Sequence, residues 1–206
     1  MTGGQLAALV ASYLLGAFPT SYLAGRLFRG IDLRQHGSKN LGATNVYRIM
    51  GWRYAIPVGL VDVAKGAAPV LVLGPAVSTA PWFPLLCGVV AVFGHVFSVF
   101  VGFKGGKGVA TSAGVVLGLA PLAVVICLAL WALVVWLSGY VSLGSVVATG
   151  VFPALVWFLY PARRDGIWLF VALAAGIIWM HRANLRRLVA GTENRFGRRA
   201  KGAQAP

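Results

Sequence analysis

Acidic side chains are nearly absent from this sequence. Its 206 residues include four Asp and Glu against eighteen Lys and Arg, which gives a formal net charge of +14. So few carboxylates leave no acidic cluster for a divalent metal, which disfavours a metal-dependent phosphotransferase. Charged residues make up 11% of the chain and hydrophobic residues 59%, with a mean hydropathy of +0.82. This composition excludes a soluble domain and indicates a polytopic membrane protein.

The chain is also poor in cysteine and shows no sign of a cleavable leader. Cys87 and Cys127 lie in apolar runs without metal-ligand spacing, so we interpret them as packing residues. The N-terminus has neither a basic region nor a cleavage site, which favours a retained first span over a signal peptide. Basic residues cluster between apolar runs, a pattern typical of membrane orientation. We therefore expect a lipid bilayer as partner, with no nucleic acid and no metal.

Long apolar runs predict the membrane-spanning helices, each of which needs about 20 mostly apolar residues. The segment from Arg26 to Arg53 carries six basic residues against one Asp, so the positive-inside rule places it in the cytoplasm and the N-terminus outside. The tail, about 182–206, is equally basic and should also be cytoplasmic. The candidate runs are about 4–27, 54–74, 82–101, 109–137, 141–160 and 166–181.

The number of crossings depends on the fourth run. If 109–137 crossed the membrane once, the basic tail would lie outside, so we expect this run to split near Gly118–Pro121. The chain is then a single all-α transmembrane domain, 1–206, of about seven helices, with Arg163 and Arg164 external. Five or six crossings are the alternatives. The polar segments that meet on the cytoplasmic face, and must form the site, are 36–48, 102–111, 139–145 and 181–195.

The first polar segment, 36–48, combines neutral hydrogen-bonding side chains with cations. Such a set suits a polyol phosphate. An alternative is a helix-capping turn with Ser38 or Asn40 as the N-cap, although a cap does not require the cation Arg48. The candidate ligands are Ser38, Asn40, Thr44, Asn45 and Arg48.

The second polar segment, 102–111, places four glycines and two lysines before a helix expected to begin at about Val109. Exposed amides and a lysine at a helix N-terminus can cradle phosphate. It is not a Walker A loop, because Lys107 is followed by glycine. The alternative is a positive-inside lysine pair on a flexible loop, and His95 nearby is more consistent with a structural role. The candidate phosphate ligands are Lys104, Gly105, Gly106, Lys107 and Gly108.

The third segment, 181–195, places His181 and Asn184 on one helix face at i, i+3 spacing. Glu193 is surrounded by arginines, which favours an ion-pair anchor over a general base. Within the second span Asp62 and Lys65 are also at i, i+3, and mutual pairing with a structural role is the simpler interpretation.

Three long motifs occur in order along the chain. They are Gly-Ser-Lys-Asn-Leu-Gly-Ala-Thr-Asn, Gly-His-Val-Phe-Ser followed by Phe-Lys-Gly-Gly-Lys-Gly-Val-Ala-Thr, and His-Arg-Ala-Asn-Leu-Arg-Arg-Leu followed by Gly-Thr-Glu. They resemble the signature motifs of the bacterial acyl-phosphate:glycerol-3-phosphate acyltransferases, the PlsY family. The resemblance covers nearly the whole chain, including Asp-x-x-Lys-Gly at 62–66.

The resemblance implies transfer of a fatty acyl group from acyl phosphate to the 1-hydroxyl of sn-glycerol 3-phosphate. The products would be lysophosphatidic acid and phosphate, in the first acylation of bacterial phospholipid synthesis, at the inner cell membrane and without a cofactor. Either His181 or the donor phosphate takes the hydroxyl proton. The segment 102–111 binds the phosphate of either the acyl donor or the glycerol 3-phosphate acceptor. The implied active-site residues are Ser38, Arg48, Lys107, His181 and Asn184, with Ser142 and Ser145 as further phosphate ligands and Glu193 as mainly structural.

The chain departs from the family pattern at three positions. Lys39 stands where the family usually has Gly, Ser98 where it has Pro, and Arg195 where it has Lys. Lys39 matters most, because it adds charge to the first loop and removes flexibility. A transporter or channel for phosphorylated solutes is the alternative function, but its site should lie near the bilayer midplane, whereas these motifs fall at one face.

Overall fold

The structure is a computed structural model that describes residues 1–196, so the predicted tail residues Arg198, Arg199 and Lys201 lie outside the described residues. Residues 1–196 contain helices and no strands. Five helices are long and apolar enough to cross a membrane, or six if the bent pair Pro161–Met180 and Arg182–Val189 is one span. The predicted all-α, multi-pass architecture is confirmed at this level.

Eleven α-helices follow one another within the described part of the chain. A π-helical turn, Pro69–Leu73, joins the fourth to the fifth, and 3₁₀ turns lie at Val99–Val101 and Pro161–Gly166. The helices are α1 (Gly3–Ala17), α2 (Thr20–Arg29), α3 (Ala43–Met50), α4 (Trp52–Ala68), α5 (Gly74–Val77), α6 (Phe83–Val96), α7 (Val109–Leu119), α8 (Pro121–Ser138), α9 (Val141–Leu159), α10 (Ile167–Met180) and α11 (Arg182–Val189).

The first apolar run is interrupted between α1 and α2 at Phe18 and Pro19. The carbonyls at the C-terminal end of a helix have no donors within it, and Pro19 has no N–H to add one. The Lys65 ammonium donates to the Phe18 carbonyl at 2.9 Å, and the Ser98 hydroxyl donates to the Ala17 carbonyl. Side chains of two other segments therefore satisfy the broken backbone.

The long run 109–137 divides into α7 and α8 at Ala120, where the sequence predicts a split. Pro121 is the first residue of α8, a position that suits its fixed φ and missing donor. At the end of α7 the Arg163 Nε donates to the Leu119 carbonyl at 2.8 Å. The break between α7 and α8 therefore lies beside the 3₁₀ turn that precedes α10.

Two glycines bring α4 and α7 into backbone contact. A Cβ on Gly66 would lie 1.9 Å from the carbonyl oxygen of Thr111, and one on Gly114 would lie 1.9 Å from that of Val63. Close approach through small residues is typical of helix packing in membranes. The contact fixes the beginning of α7, and with it Lys107, against α4.

Asp62 and Lys65 form the ion pair that their spacing predicts. Lys65 Nζ lies 2.9 Å from Asp62 Oδ1, and the two side chains are 4% and 2% exposed. His95 Nδ1 lies 3.9 Å from the same carboxylate oxygen. A buried charge without a partner is costly. A substitution of Asp62 or Lys65 alone should therefore destabilise the protein more than replacement of both residues.

Candidate functional site

A cavity of about 460 Å³ lies between the helices that carry the predicted motifs. Each of the four polar segments contributes to its wall. Side chains of α7, α8 and α9 form most of the rest, together with Asp62 and Val63 of α4, His95 of α6 and Ile177 of α10. One cavity thus joins a polar surface to an apolar one, as an amphiphilic ligand requires. The predicted site residues that line it are Ser38, Asn40, Thr44, Asn45, Arg48, Asp62, Lys107, Gly108, Ser142, Ser145, His181, Asn184 and Glu193.

Asn184 links the glycine-rich loop to the third segment. Its side-chain oxygen accepts a hydrogen bond from the Lys107 ammonium, and its Nδ2 donates to Glu193 Oε1 at 2.6 Å. The amide has one acceptor end and one donor end, so it fits between a cation and a carboxylate in a single orientation. The structure therefore brings together residues from two predicted motifs.

Glu193 is the centre of this polar network. One carboxylate oxygen also accepts from the Ser142 hydroxyl at 2.9 Å, and the other accepts from Arg187 Nε at 2.7 Å. Burial raises the pKa of Glu193, but the hydrogen bonds from Asn184, Ser142 and Arg187 outweigh it, so this pKa lies below its ordinary value. The geometry contains the ion pair with an arginine that the sequence favours.

Lys107 and Arg48 make the polar end of the cavity electropositive. Burial lowers the pKa of Lys107 to about 8, with Glu193 raising it and Arg187 and Arg48 lowering it further. Burial likewise lowers the pKa of Arg48, whose guanidinium nevertheless stays charged. No carboxylate among residues 1–196 lies within 4.0 Å of Arg48 as an ion-pair partner. This excess positive charge favours an anion.

Asn45 organises the first polar segment from within. It is 1% exposed, and its Oδ1 accepts from the Ser38 N–H at 2.9 Å. Its Nδ2 donates to the carbonyls of Leu33 and His36 at 3.2 and 3.1 Å. Although Asn45 lines the cavity, its amide is already occupied by the loop, so the geometry gives it a supporting position for Ser38.

The loop before α3 bends through two left-handed residues. Gly37 and Lys39 both have φ of +59°, which costs a non-glycine residue about 1–2 kcal/mol. Lys39 is exposed beside Ser38, so the departure from the family's glycine places strain and a charge next to the cavity. α3 begins after Gly42 without a side-chain cap, so the alternative interpretation of Ser38 or Asn40 as an N-cap is wrong.

His181 is oriented by its own helix. Its Nδ1 lies 2.8 Å from the Ile177 carbonyl, and the side chain is 3% exposed. A carbonyl can only accept, so Nδ1 carries the hydrogen and the neutral ring has Nε2 as its acceptor. His181 also marks the 52° bend between α10 and α11. Both His181 and Asn184 line the cavity, as expected for residues on one helix face.

The glycines of the second segment have a different position from the one the sequence suggests. The N–H groups of Gly105 and Gly106 donate to the carbonyls of Val96 and His95 at 3.0 and 3.2 Å. A Cβ on Gly106 would lie 2.2 Å from His95 Nε2. These amides are thus bonded within the chain, and Gly105, Gly106 and the exposed Lys104 are not part of the cavity wall.

The backbone of residues 108–110, directly after this loop, does line the cavity. Gly108 is the N-cap of α7, which begins at Val109 as predicted, and both residues line the cavity together with Ala110. The first N–H groups of a helix have no intrahelical partner and favour an anion. The available amides therefore lie at Val109 and Ala110, about one turn beyond the glycine pair.

Several lining residues have no signal in the sequence. Trp131 of α8 donates from its indole N–H to the Ser145 hydroxyl at 3.3 Å, and that hydroxyl donates to the Val141 carbonyl at 2.9 Å. Phe152 of α9 lines the apolar part of the cavity. Both are apolar-run residues, which sequence patterns cannot distinguish from lipid-facing ones. Asn194 also lines the polar end, next to the predicted Glu193.

Comparison with known proteins identifies the family. A sequence model described as "Glycerol-3-phosphate acyltransferase" matches residues 6–191. The chain belongs to this acyltransferase family. A glycerol-3-phosphate acyltransferase of Chlorobaculum tepidum is 40% identical over 228 residues, covering 94% of this chain and 98% of the relative. One from Chlorobium luteolum is 41% identical over 239 residues, covering 95% and 98%. The family resemblance is confirmed, and an enzyme is favoured over a transporter.

Two solved structures of PlsY (YgiH), an integral membrane glycerol 3-phosphate acyltransferase, have the same fold. The glycerol 3-phosphate form has a TM-score of 0.89 at 36% identity, covering 95% of this chain and 96% of that one. The lysophosphatidic acid form has a TM-score of 0.85 at the same identity and coverage.

Proposed function

We propose that this protein transfers a fatty acyl group from acyl phosphate to the 1-hydroxyl of sn-glycerol 3-phosphate, releasing lysophosphatidic acid and inorganic phosphate. The observation that carries the proposal is the cavity itself, in which the cations Lys107 and Arg48 stand at one end of an apolar groove. Both substrates carry phosphate, the donor and the product carry an acyl chain, and the family supplies the reaction type. The reaction would be the first acylation of phospholipid synthesis.

The polar end has enough donors to hold two phosphates together. Lys107, Arg48 and the first amides of α7 supply positive potential, and the Ser38 hydroxyl supplies a neutral donor. The Ser142 hydroxyl already donates to Glu193, so it supports the carboxylate instead. We assign the glycine pair Gly105–Gly106 to positioning the Lys107 loop rather than to direct contact. Holding the two substrates side by side makes acyl transfer effectively unimolecular.

The bond changes require little from a protein base. The 1-hydroxyl oxygen of the acceptor forms a bond to the acyl carbonyl carbon, and the bond from that carbon to the phosphate oxygen breaks. The departing phosphate carries the electron pair and is stabilised by Lys107 and Arg48. The hydroxyl proton passes to Nε2 of His181, the ring nitrogen free to accept, or to the leaving phosphate itself.

The proposal needs no metal ion or cofactor. Acyl phosphate is already activated, and cations of the chain supply the charge that a metal would otherwise provide. Among residues 1–196 there is no group of three or more His, Cys, Asp or Glu side chains arranged to bind a metal. We expect full activity in excess EDTA, and restoration of lost activity by added Mg²⁺ would contradict this point.

We also propose an inner-membrane protein with seven crossings, an external N-terminus and a cytoplasmic site. Two contacts support an odd number of crossings. Arg163 bonds the end of α7 on one side of the bundle, whereas the Phe196 N–H donates to the Gly139 carbonyl at 2.7 Å on the side of the site. α7 thus runs from the Lys107 end to the opposite end, although its 11 residues span only about 16 Å.

The decisive experiment is a donor panel with purified protein in detergent. Labelled glycerol 3-phosphate is incubated with acyl phosphate, acyl-CoA or acyl carrier protein, and label extractable into organic solvent is counted. We expect product with acyl phosphate alone, and Lys107→Ala serves as a matched control for a contaminating enzyme. Product from a thioester donor only, or from none of the three, would overturn the proposed donor or the reaction.

A further inference from the structure

Phe152 stands where a wall of small side chains ends on α9. The residues of α9 that line the cavity beyond Ser142 are Ser145, Ala148, Thr149 and then Phe152. They follow at helical spacing along one face. The first three leave space between the helices, and Phe152 is the first large side chain to fill it. The groove therefore has a floor as well as walls.

Helix α7, which also lines the cavity, has the same arrangement of small residues followed by a larger one at the deep end. On α7 the lining residues are Val109, Ala110, Ser112 and Ala113, and the deepest is Val116. Both α7 and α9 begin at the polar end of the cavity, so Val116 and Phe152 both lie away from the phosphate-binding groups. From Ser142 to Phe152 the helix rises about 15 Å, which sets the depth of the groove.

The floor is held by the protein core. Phe152 is 6% exposed and Val116 is 5% exposed, and both belong to one buried cluster. The ring of Phe152 packs edge-on against Phe170 of α10, with ring centroids 6.0 Å apart. Tightly packed aromatic side chains resist displacement by a ligand. A chain that enters from the polar end meets this ring as a fixed obstacle.

We propose that Phe152, supported by Val116, sets the longest acyl chain that the groove accepts without rearrangement. The inference rests on the proposed function, because it takes the groove as the place of the donor's chain. It extends that function by naming a specificity residue. A methylene that exceeds the available space costs about tenfold in kcat/KM, the usual discrimination of an apolar pocket.

The test measures kcat/KM for saturated acyl phosphates of increasing length with wild type, Phe152→Ala and Ala148→Leu. We expect F152A to shift the preferred length upward, with a gain of about tenfold for long over short donors relative to wild type. A148L narrows the groove about one turn above Phe152 and should shift the preference downward. Phe158→Ala, on the same helix but 74% exposed, is the matched control and should leave the profile unchanged.

Because F152A removes a buried ring, Phe152→Leu is measured beside it, and A148L keeps the core ring intact. Unchanged length profiles in folded F152L and A148L, with normal turnover, would show that the acyl end does not reach Phe152 and would overturn the inference. Absence of lipid product from wild type with every donor would instead overturn the proposed function.

Discussion

Lys107 donates a hydrogen bond to the side-chain oxygen of Asn184, which lies 77 positions further along the chain. The contact joins the loop before α7 to α11, and Glu193 bonds the other end of the same amide. A cation is thereby fixed in the cavity by a neutral group. Its charge is available to a phosphate rather than neutralised by direct contact with a carboxylate.

Removing this amide should impair catalysis more than folding. In Asn184→Ala, Lys107 loses its acceptor and Glu193 loses a donor, so the ammonium is no longer held in the position where we expect it to bind phosphate. We expect kcat/KM to fall about 10²–10³-fold, the range seen for loss of one oriented electrostatic group. Steady-state kinetics test this, and Asn194→Ala, a neighbouring cavity residue without a comparable bridge, is the control. A loss below about fivefold in N184A would contradict the bridging role.

The ionisation of Lys107 should appear in substrate binding. Burial holds the pKa of Lys107 at about 8 in the free protein. A phosphate monoester has its full charge by about pH 7, since its second pKa is about 6. Affinity for glycerol 3-phosphate should therefore fall as pH rises through about 8 and beyond, because the ammonium loses its proton. Bound phosphate delays this loss to higher pH without reversing it.

Titration calorimetry between about pH 7 and 9.5 measures this dependence, with Lys107→Arg as the control whose charge persists. Equal pH dependence of Kd in wild type and K107R would exclude Lys107 as the titrating group.

The stability of the free protein should change with pH in the opposite direction to the affinity. Because the pKa is lowered in the folded state from 10.5, the free energy of unfolding should rise between about pH 8 and 10.5 as the buried charge is lost.

Glu193 should contribute mainly through structure. Glu193→Gln keeps one acceptor for Ser142 and Asn184 but loses the charge that faces Arg187. A hydrogen bond to a charged group is worth about 1.5–3 kcal/mol, so Tm should fall by several degrees together with activity. Asp165→Asn, an exposed carboxylate in the 3₁₀ turn, is the matched control. Unchanged Tm in E193Q with a changed pH–rate profile would favour the general-base interpretation instead.

Gly106 tests whether the glycines contact substrate or support the loop. A side chain there would collide with His95 and with the Leu41 carbonyl, 2.2 and 2.4 Å away. Gly106→Ala should therefore lower Tm and kcat as the Lys107 loop moves. Gly150→Ala, where no atom lies within 4 Å, is the control and should be tolerated. A rise in KM alone, at wild-type Tm and kcat, would instead support direct contact with phosphate.

Replacement of Lys39 by glycine should stabilise the protein. Lys39→Gly removes the strain of a left-handed φ and should stabilise the protein by about 1 kcal/mol, or about 2–4 °C in Tm. Lys39→Ala loses the charge but keeps the strain, so it separates the two effects. If K39A and K39G melt at the same temperature, backbone strain at this position is not significant.

Charge and helix-breaking signals made much of the architecture predictable. The basic segments predicted an extra crossing and a break near Pro121, and the helix does break at Ala120. The interruption at Pro19 was not expected, because we interpreted 4–27 as one span. The side chains that bond the carbonyls at the break, Lys65 and Ser98, are distant in sequence. Local patterns cannot show which remote side chain will satisfy a broken backbone.

The sequence predicted the charged and polar residues of the site, which are rare in this apolar chain. It did not predict the apolar residues of the site. In an apolar chain, polar residues such as Arg48, His181 and Glu193 are conspicuous, and all three line the cavity. The glycine amides were expected to face a ligand, but whether an amide points to a cavity or to the His95 carbonyl depends on tertiary packing. Phe152 carried no signal, since a groove wall and a lipid-facing surface have the same composition.

The most direct test of the account is the stoichiometry of the reaction in one vessel. Purified protein receives acyl phosphate and glycerol 3-phosphate, and both inorganic phosphate and lysophosphatidic acid are quantified over time. We expect one phosphate released per lysophosphatidic acid formed, with both absent when the acceptor is omitted and both lost in Lys107→Ala. Phosphate release without the acceptor, at the rate seen with it, would identify a hydrolase and contradict the account.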